Sequence, residues 1–132
     1  MTVINLMQDI KKEYQLTYLF ISHDLRIIKH FCDRVMVMYL GNIVELGTKE
    51  AIYGNQRHPY TKALLSAVSS VKGNGSKNRI ILQGDIPSPV NPPSGCPFHT
   101  RCSYCMDICR EKKPELKKMA DGTLVACHLD ME

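Results

Sequence analysis

The sequence predicts an α/β fold in which helices alternate with buried strands. Two short, unbroken apolar runs, "TYLFIS" (17–22) and "RVMVMYL" (34–40), read as strands buried on both faces, as parallel strands are. Segments of helical spacing lie before and between them, and a Gly41–Asn42 hairpin signal follows the second run. The order is helix–strand–helix–strand–strand, then helices, then a small cysteine-rich extension.

Each element has its own warrant. Val3, Ile4, Leu6, Met7 and Ile10 form an amphipathic stripe, with Asp9, Lys11 and Lys12 facing out. In "HDLRIIKHFCD" (23–33), Leu25, Ile28, Phe31 and Cys32 repeat at helical spacing behind Asp24, a fair N-cap. Residues 43–47 form an antiparallel return strand. Residues 48–54 make a short helix, capped by Thr48 and stopped at Gly54. The cleanest helix is "HPYTKALLSAVSSV" (58–71): Pro59 suits its first turn, and Tyr60, Ala63, Leu64, Ala67, Val68 and Val71 form its stripe. "KGNGSKN" (72–78) reads as a linker and "RIILQG" (79–84) as a strand. A proline-rich approach, 85–95, then leads to the cysteines. These shifts divide the chain into 1–57, 58–75 and 76–132.

Composition bounds the function. A chain of 132 residues with 44% hydrophobic residues supports one modest core. The longest apolar run, 35–40, is far short of the roughly 20 residues a spanning helix needs. The N-terminal apolar residues are periodic and interrupted by Asp9 and Glu13, unlike a signal peptide. The net charge of +4 is scattered, there is no Trp and only three Phe, so a nucleic-acid-binding zinc domain is disfavoured.

Four of the six cysteines lie in "GCPFHTRCSYCMDIC" (95–109), and Cys127 follows in "VACHL". Without a sign of export the thiols belong in a reducing compartment, which favours a metal or free thiols over disulfides. Cys102-x-x-Cys105 with Cys109 and Cys127 offers four sulfurs for zinc, although the spacing is not that of a paired C-x-x-C site. Cys102, Cys105 and Cys109 also fit one helical face. His99 and His128 stand beside cysteines and are candidate ligands. Cys32 reads as a small buried residue, His30 as a surface residue and His58 as part of a helix start.

Two stretches carry a resemblance. "TYLFISHDLRIIKHFCDRVMVMYLGNIVELG" resembles the end of an ABC-transporter ATPase domain. "NQRHPYTKALLSAV" with the spaced cysteines is similar to the C-terminal extension of oligopeptide/dipeptide importer ATPases. The resemblance implies that 1–57 is the C-terminal part of a P-loop ABC ATPase domain and 76–132 the extension. It implies a C-terminal fragment, since the phosphate loop, signature and catalytic carboxylate of that family are absent from this sequence.

On the same resemblance, His23 contacts the γ-phosphate of ATP, bound with Mg, and helps position the attacking water. Cys96, Cys102, Cys109 and Cys127 match the positions that ligate a [4Fe–4S] cluster in several members, with zinc as the alternative; Cys105 departs from the pattern. The expected partners are membrane permease subunits, a second ATPase subunit and, indirectly, a solute-binding protein. The expected place is the inner face of the cell membrane. The implied function is part of the ATP-binding subunit of an importer of peptides or similar small solutes, and the isolated chain is expected to be inactive as an ATPase. A free-standing metal-binding regulatory or interaction module is the competing reading.

Overall fold

The computed structural model describes residues 2–69 and 79–129 and divides into two compact units, 1–33 and 34–132. The fold is mixed α/β, and its sheet is antiparallel throughout, not parallel. The segment expected as a linker, 72–78, and Val71 of the expected helical stripe lie outside the described residues.

The first unit holds two helices, α1 (Thr2–Tyr14) and α2 (Leu25–Phe31). Gln15 takes a left-handed conformation, and the Leu16 N–H donates to the Lys11 carbonyl at 3.0 Å, which closes α1. The apolar stripe of α1 is narrower than its spacing suggests: Ile4 is buried, while Val3 and Leu6 are exposed. Lys11 does not simply face out. Its Nζ lies 2.7 Å from Asp33 and over the Phe31 ring. Asp24 caps α2 as expected, accepting from the Arg26 and Ile27 N–H groups.

Residues 17–22, expected as a buried strand, form no strand. A strand exists only through a ladder partner, and no described segment supplies one. The run still alternates. Tyr18 and Phe20 pack their rings on the buried Phe31, at centroid distances of 5.6 and 5.1 Å. Leu19 and Ile21 point away and are 90% and 88% exposed.

The second unit is built on a four-stranded sheet of order β1-β2-β4-β3, from β1 (Arg34–Tyr39), β2 (Asn42–Thr48), β3 (Lys117–Lys118) and β4 (Leu124–Val125). β1 is not buried on both faces. Val35, Val37 and Tyr39 point into the core, and Met36 and Met38 stand about half exposed, because an antiparallel hairpin has one covered face. The hairpin turn is Leu40–Gly41, one residue earlier than the sequence signal. Both residues have positive φ, 47° and 75°, and Tyr39 pairs with Asn42.

Thr48 caps α3 (Lys49–Gly54) by accepting from the Ala51 N–H. In α4 (Pro59–Ser69) the buried positions are Pro59, Thr61, Ala63 and Leu65, which lie on two sides of the helix; of the expected stripe Ala63 is buried, while Tyr60, Leu64, Ala67 and Val68 are half-buried. Residues 79–84, expected as a strand, form none. Ile81 is exposed, and the segment is tied down by Ile80 N–H donating to Ser66 Oγ. The tail folds back through a 3₁₀ turn (His99–Arg101) and α5 (Asp107–Glu111), then supplies β3 and β4. β4 pairs with β2, and the Ala126 N–H donates to the Val44 carbonyl at 2.9 Å. The cysteine-rich tail and the hairpin therefore share one sheet and one core.

Candidate functional site

The geometry of the cysteines starts at Gly95. Its φ of +71° suits glycine, and it sits against the Cys109 carbonyl, where a side chain would collide with backbone. This close approach lets the Cys96 N–H donate to the Cys109 carbonyl at 2.7 Å. A loop and the start of α5 are thereby joined, with Cys96 and Cys109 both buried. Met106 N–H donates to Cys109 Sγ at 3.4 Å. Cys102 follows the 3₁₀ turn, and Cys127 leaves the end of β4, two residues after Val125.

These four cysteines, 96, 102, 109 and 127, line one small cavity of about 10 Å³ together with His58, Phe98, His99 and His128. Cys105 is not on its wall; its Sγ turns to the Met106 carbonyl at 3.6 Å. The expected shared helical face fails, because α5 begins only at Asp107 and leaves Cys102 and Cys105 in the preceding turn. Burial raises the pKa of Cys96, Cys102 and Cys127, Cys102 to about 11, and neighbouring thiols add to it. The closeness of the sulfurs is visible in those mutual effects: Cys127 and Cys109 act on Cys96, Cys109 on Cys127, and Cys127, Cys96 and also Cys105 on Cys102.

Among the described residues no group of three or more His, Cys, Asp or Glu is already drawn together to hold a metal ion. The sulfurs ring a cavity instead of converging on one point. The donor set is four thiols, soft ligands of the kind that hold either an iron–sulfur centre or zinc.

One wall of the cavity belongs to His58, which is 1% exposed. Its Nδ1 accepts the Tyr60 N–H at 3.1 Å, so the residue caps α4 with its own ring. Burial lowers its pKa from 6.5 to about 4, and the Ala126 carbonyl pulls weakly the other way. The backbone of this corner is held by Glu45, a fully buried carboxylate on β2. Its two oxygens accept from Arg57 N–H and His58 N–H at 2.8 and 3.0 Å. Arg57 also makes a two-toothed ion pair with Asp121 at 2.9 and 3.0 Å. Phe98 fills the space behind, 1% exposed, with ring centroids 5.2, 5.4 and 5.7 Å from Tyr39, Tyr60 and His58. Glu45 and Phe98 were not singled out by the sequence. Glu45 carries a weak signal: it is an acid inside an otherwise apolar strand.

His23, in the first unit, sits exposed in the bend before α2. The bend is fixed on both sides of it, since Ser22 Oγ accepts from the Asp24 N–H at 3.0 Å and Asp24 caps the helix. His99 and His128 each hold a backbone carbonyl by one ring nitrogen, Cys96 O at 2.8 Å and Lys112 O at 2.6 Å.

A hairpin closed by a cysteine-lined tail is the setting in which the comparison with known proteins falls. The family model described as the oligopeptide/dipeptide transporter, C-terminal region, matches residues 44–109, and the chain belongs to that family. The oligopeptide transport ATP-binding protein AppF of Bacillus subtilis is 54% identical over 129 residues, which are 96% of this chain and 39% of that protein. The dipeptide transport ATP-binding protein DppF of Haemophilus influenzae is 52% identical over 97% of this chain and 39% of its own length. DppF of Escherichia coli is 51% identical over 95% and 37%. The chain thus spans about two fifths of the length of these curated relatives. Among the described residues no helix is long and apolar enough to cross a membrane.

Proposed function

We propose that this chain is part of the ATP-binding subunit of an ABC importer for peptides or similar small solutes. Identity above one half to a protein named for oligopeptide transport, along nearly the whole chain, is the observation that carries this reading. On this reading residues 1–57 are the C-terminal part of an ATPase domain and 76–132 the family's extension. The partners are membrane permease subunits and a second ATPase subunit, and the subunit lies at the cytoplasmic face of the membrane. His23, held between Ser22 and the Asp24 cap, contacts the γ-phosphate of Mg-bound ATP in the assembled subunit pair. This sequence carries no G-x-x-x-x-G-K-[ST] loop, so the chain by itself is expected to release no phosphate from ATP.

Deleting its coding sequence is expected to lower uptake of labelled di- and oligopeptides by the cell. Unchanged uptake would overturn the transport reading. Metal binding with unchanged uptake would be the mark of a free-standing metal module.

Within the extension, Cys96, Cys102, Cys109 and Cys127 hold one metal centre, a [4Fe–4S] cluster before zinc. The support is the cavity that these four line and Cys105 does not. When bound, the cluster supplies a cross-link between the Gly95 loop, α5 and the strand end at Cys127. A tail with so small a core gains most from such a staple. Anaerobic purification, with iron, acid-labile sulfide and zinc assays, tests it. Zinc without iron would select the alternative. Retention of the centre in Cys96→Ala and loss in Cys105→Ala would refute the ligand set.

A further inference from the structure

The cysteine cavity has three histidines on its wall, and they are not equivalent. His99 and His128 each spend a ring nitrogen on a backbone carbonyl. His58 is buried, and its Nδ1 is committed as an acceptor to the Tyr60 N–H. An Nδ1 that accepts carries no proton, so the neutral ring keeps its single proton on Nε2. That Nε2 is buried and has no hydrogen-bond partner. The Ala126 carbonyl acts on the ring, but makes no hydrogen bond of ordinary geometry with Nε2. A buried donor left without an acceptor is costly, and one on the wall of a ligand cavity points to an acceptor supplied by the occupant.

We infer that His58 donates its Nε2–H to a sulfur of the centre held by the four cysteines, and that Glu45 is the residue that positions it. The inference rests on the metal reading proposed above. Cluster sulfurs and cysteine thiolates are anionic acceptors, so they match a neutral imidazole N–H, and such hydrogen bonds tune the centre they touch. Glu45 has no contact with the cavity. It acts through the chain: both oxygens hold the Arg57–His58 backbone, and in the sheet it faces Val125, two residues before Cys127. One carboxylate thereby fixes the histidine corner against the strand that delivers the fourth thiol. The same arrangement accounts for a fully buried acid on an otherwise apolar strand.

The test uses the full chain, reconstituted anaerobically with ferrous iron and sulfide, carrying ¹⁵N-histidine. Irradiation at 77 K reduces the cluster to a paramagnetic state whatever its potential. Pulsed EPR of the wild type is expected to show weak coupling to one imidazole nitrogen, lost in His58→Gln. No histidine coupling in a wild-type cluster, or coupling that survives His58→Gln, would overturn the inference and leave the metal reading intact. Failure of the wild type to take up iron and sulfide would overturn both. His58→Phe is expected to release iron to a chelator about tenfold faster, the effect of one lost hydrogen bond to an anionic acceptor. Glu45→Gln is expected to weaken the coupling without abolishing cluster uptake; an unaltered coupling would remove Glu45 from the positioning role.

Discussion

His58 shows how one buried side chain ties stability to pH. Its pKa lies near 4 in the folded chain, against 6.5 when exposed, because burial disfavours the charged ring. The unfolded chain therefore binds the proton more readily. The stability associated with the neutral ring is complete above about pH 6.5 and is lost as pH falls toward 4. The loss is on the order of 3 kcal/mol, from about 1.4 kcal/mol per pKa unit. The charged and titratable groups around it do not offset this: Glu45 binds its backbone and not its ring, and burial raises the pKa of Cys96, Cys102 and Cys127, away from this range. Urea midpoints of the metal-free chain between pH 7 and 4 should fall more steeply for the wild type than for His58→Gln. Parallel curves would show that another group governs the acid response. Gly95 is the second residue with a sharp expectation. Gly95→Ala drives a methyl onto the Cys109 carbonyl in a left-handed conformation, so the 2.7 Å bond from Cys96 cannot persist. A loss of at least about 2 kcal/mol is expected, with a lower iron content after reconstitution. A melting temperature and iron content equal to wild type would show that the loop tolerates the shift.

The β1–β2 hairpin illustrates what a sequence can and cannot announce about an element. Gly41 marks the turn, but the register depends on Leu40 taking φ of +47°, which nothing about leucine suggests. The turn is thus one residue earlier than the Gly41–Asn42 signal. Leu40 is half-buried, and the left-handed region costs a branched side chain roughly 1–2 kcal/mol. Leu40→Asn gives the turn the Asn-Gly pair that type I′ geometry favours. It should raise the melting temperature by about 4 °C, and a decrease would mean that the leucine side chain contributes more by packing than its backbone costs. Residues 17–22 and 79–84 fail as strands for a related reason. An apolar run specifies burial, whereas a strand also needs a partner, and pairing is not written in the run itself. The helices fared better because their hydrogen bonds are local: Asp24 and Thr48 cap where their side-chain chemistry says they should. The set Cys96, Cys102, Cys109 and Cys127 came from the family resemblance, whereas spacing by itself equally offered Cys105 in place of Cys96. Glu45 and Phe98 were not legible, since their roles exist only once β2, α4 and the tail meet.

At the scale of the whole second unit, the tail is not an appendage. Its β4 pairs with β2, its Asp121 holds Arg57, and its Lys113 donates to Asn42 Oδ1 in the hairpin at 2.6 Å. Phe98, from the cysteine loop, fills the core between Tyr39 of β1 and Tyr60 of α4. These contacts make the cavity and the hairpin one cooperative body, so a ligand that binds only the folded cavity stabilises both by linkage. Hydrogen exchange can show this directly. In the metal-loaded chain the Ala126 amide, bonded to the Val44 carbonyl, and the hydrogen-bonded amides of the β1–β2 ladder should open with a common free energy. Chelation should lower protection at all of them by a similar factor. Loss confined to residues 96–127, with the hairpin unchanged, would show that the tail opens as a separate unit and that the shared sheet does not couple them. The expectation of common loss follows from the sheet order itself: β2 lies between β1 and β4, so freeing the strand end at Cys127 uncovers the edge of the strand that carries Glu45.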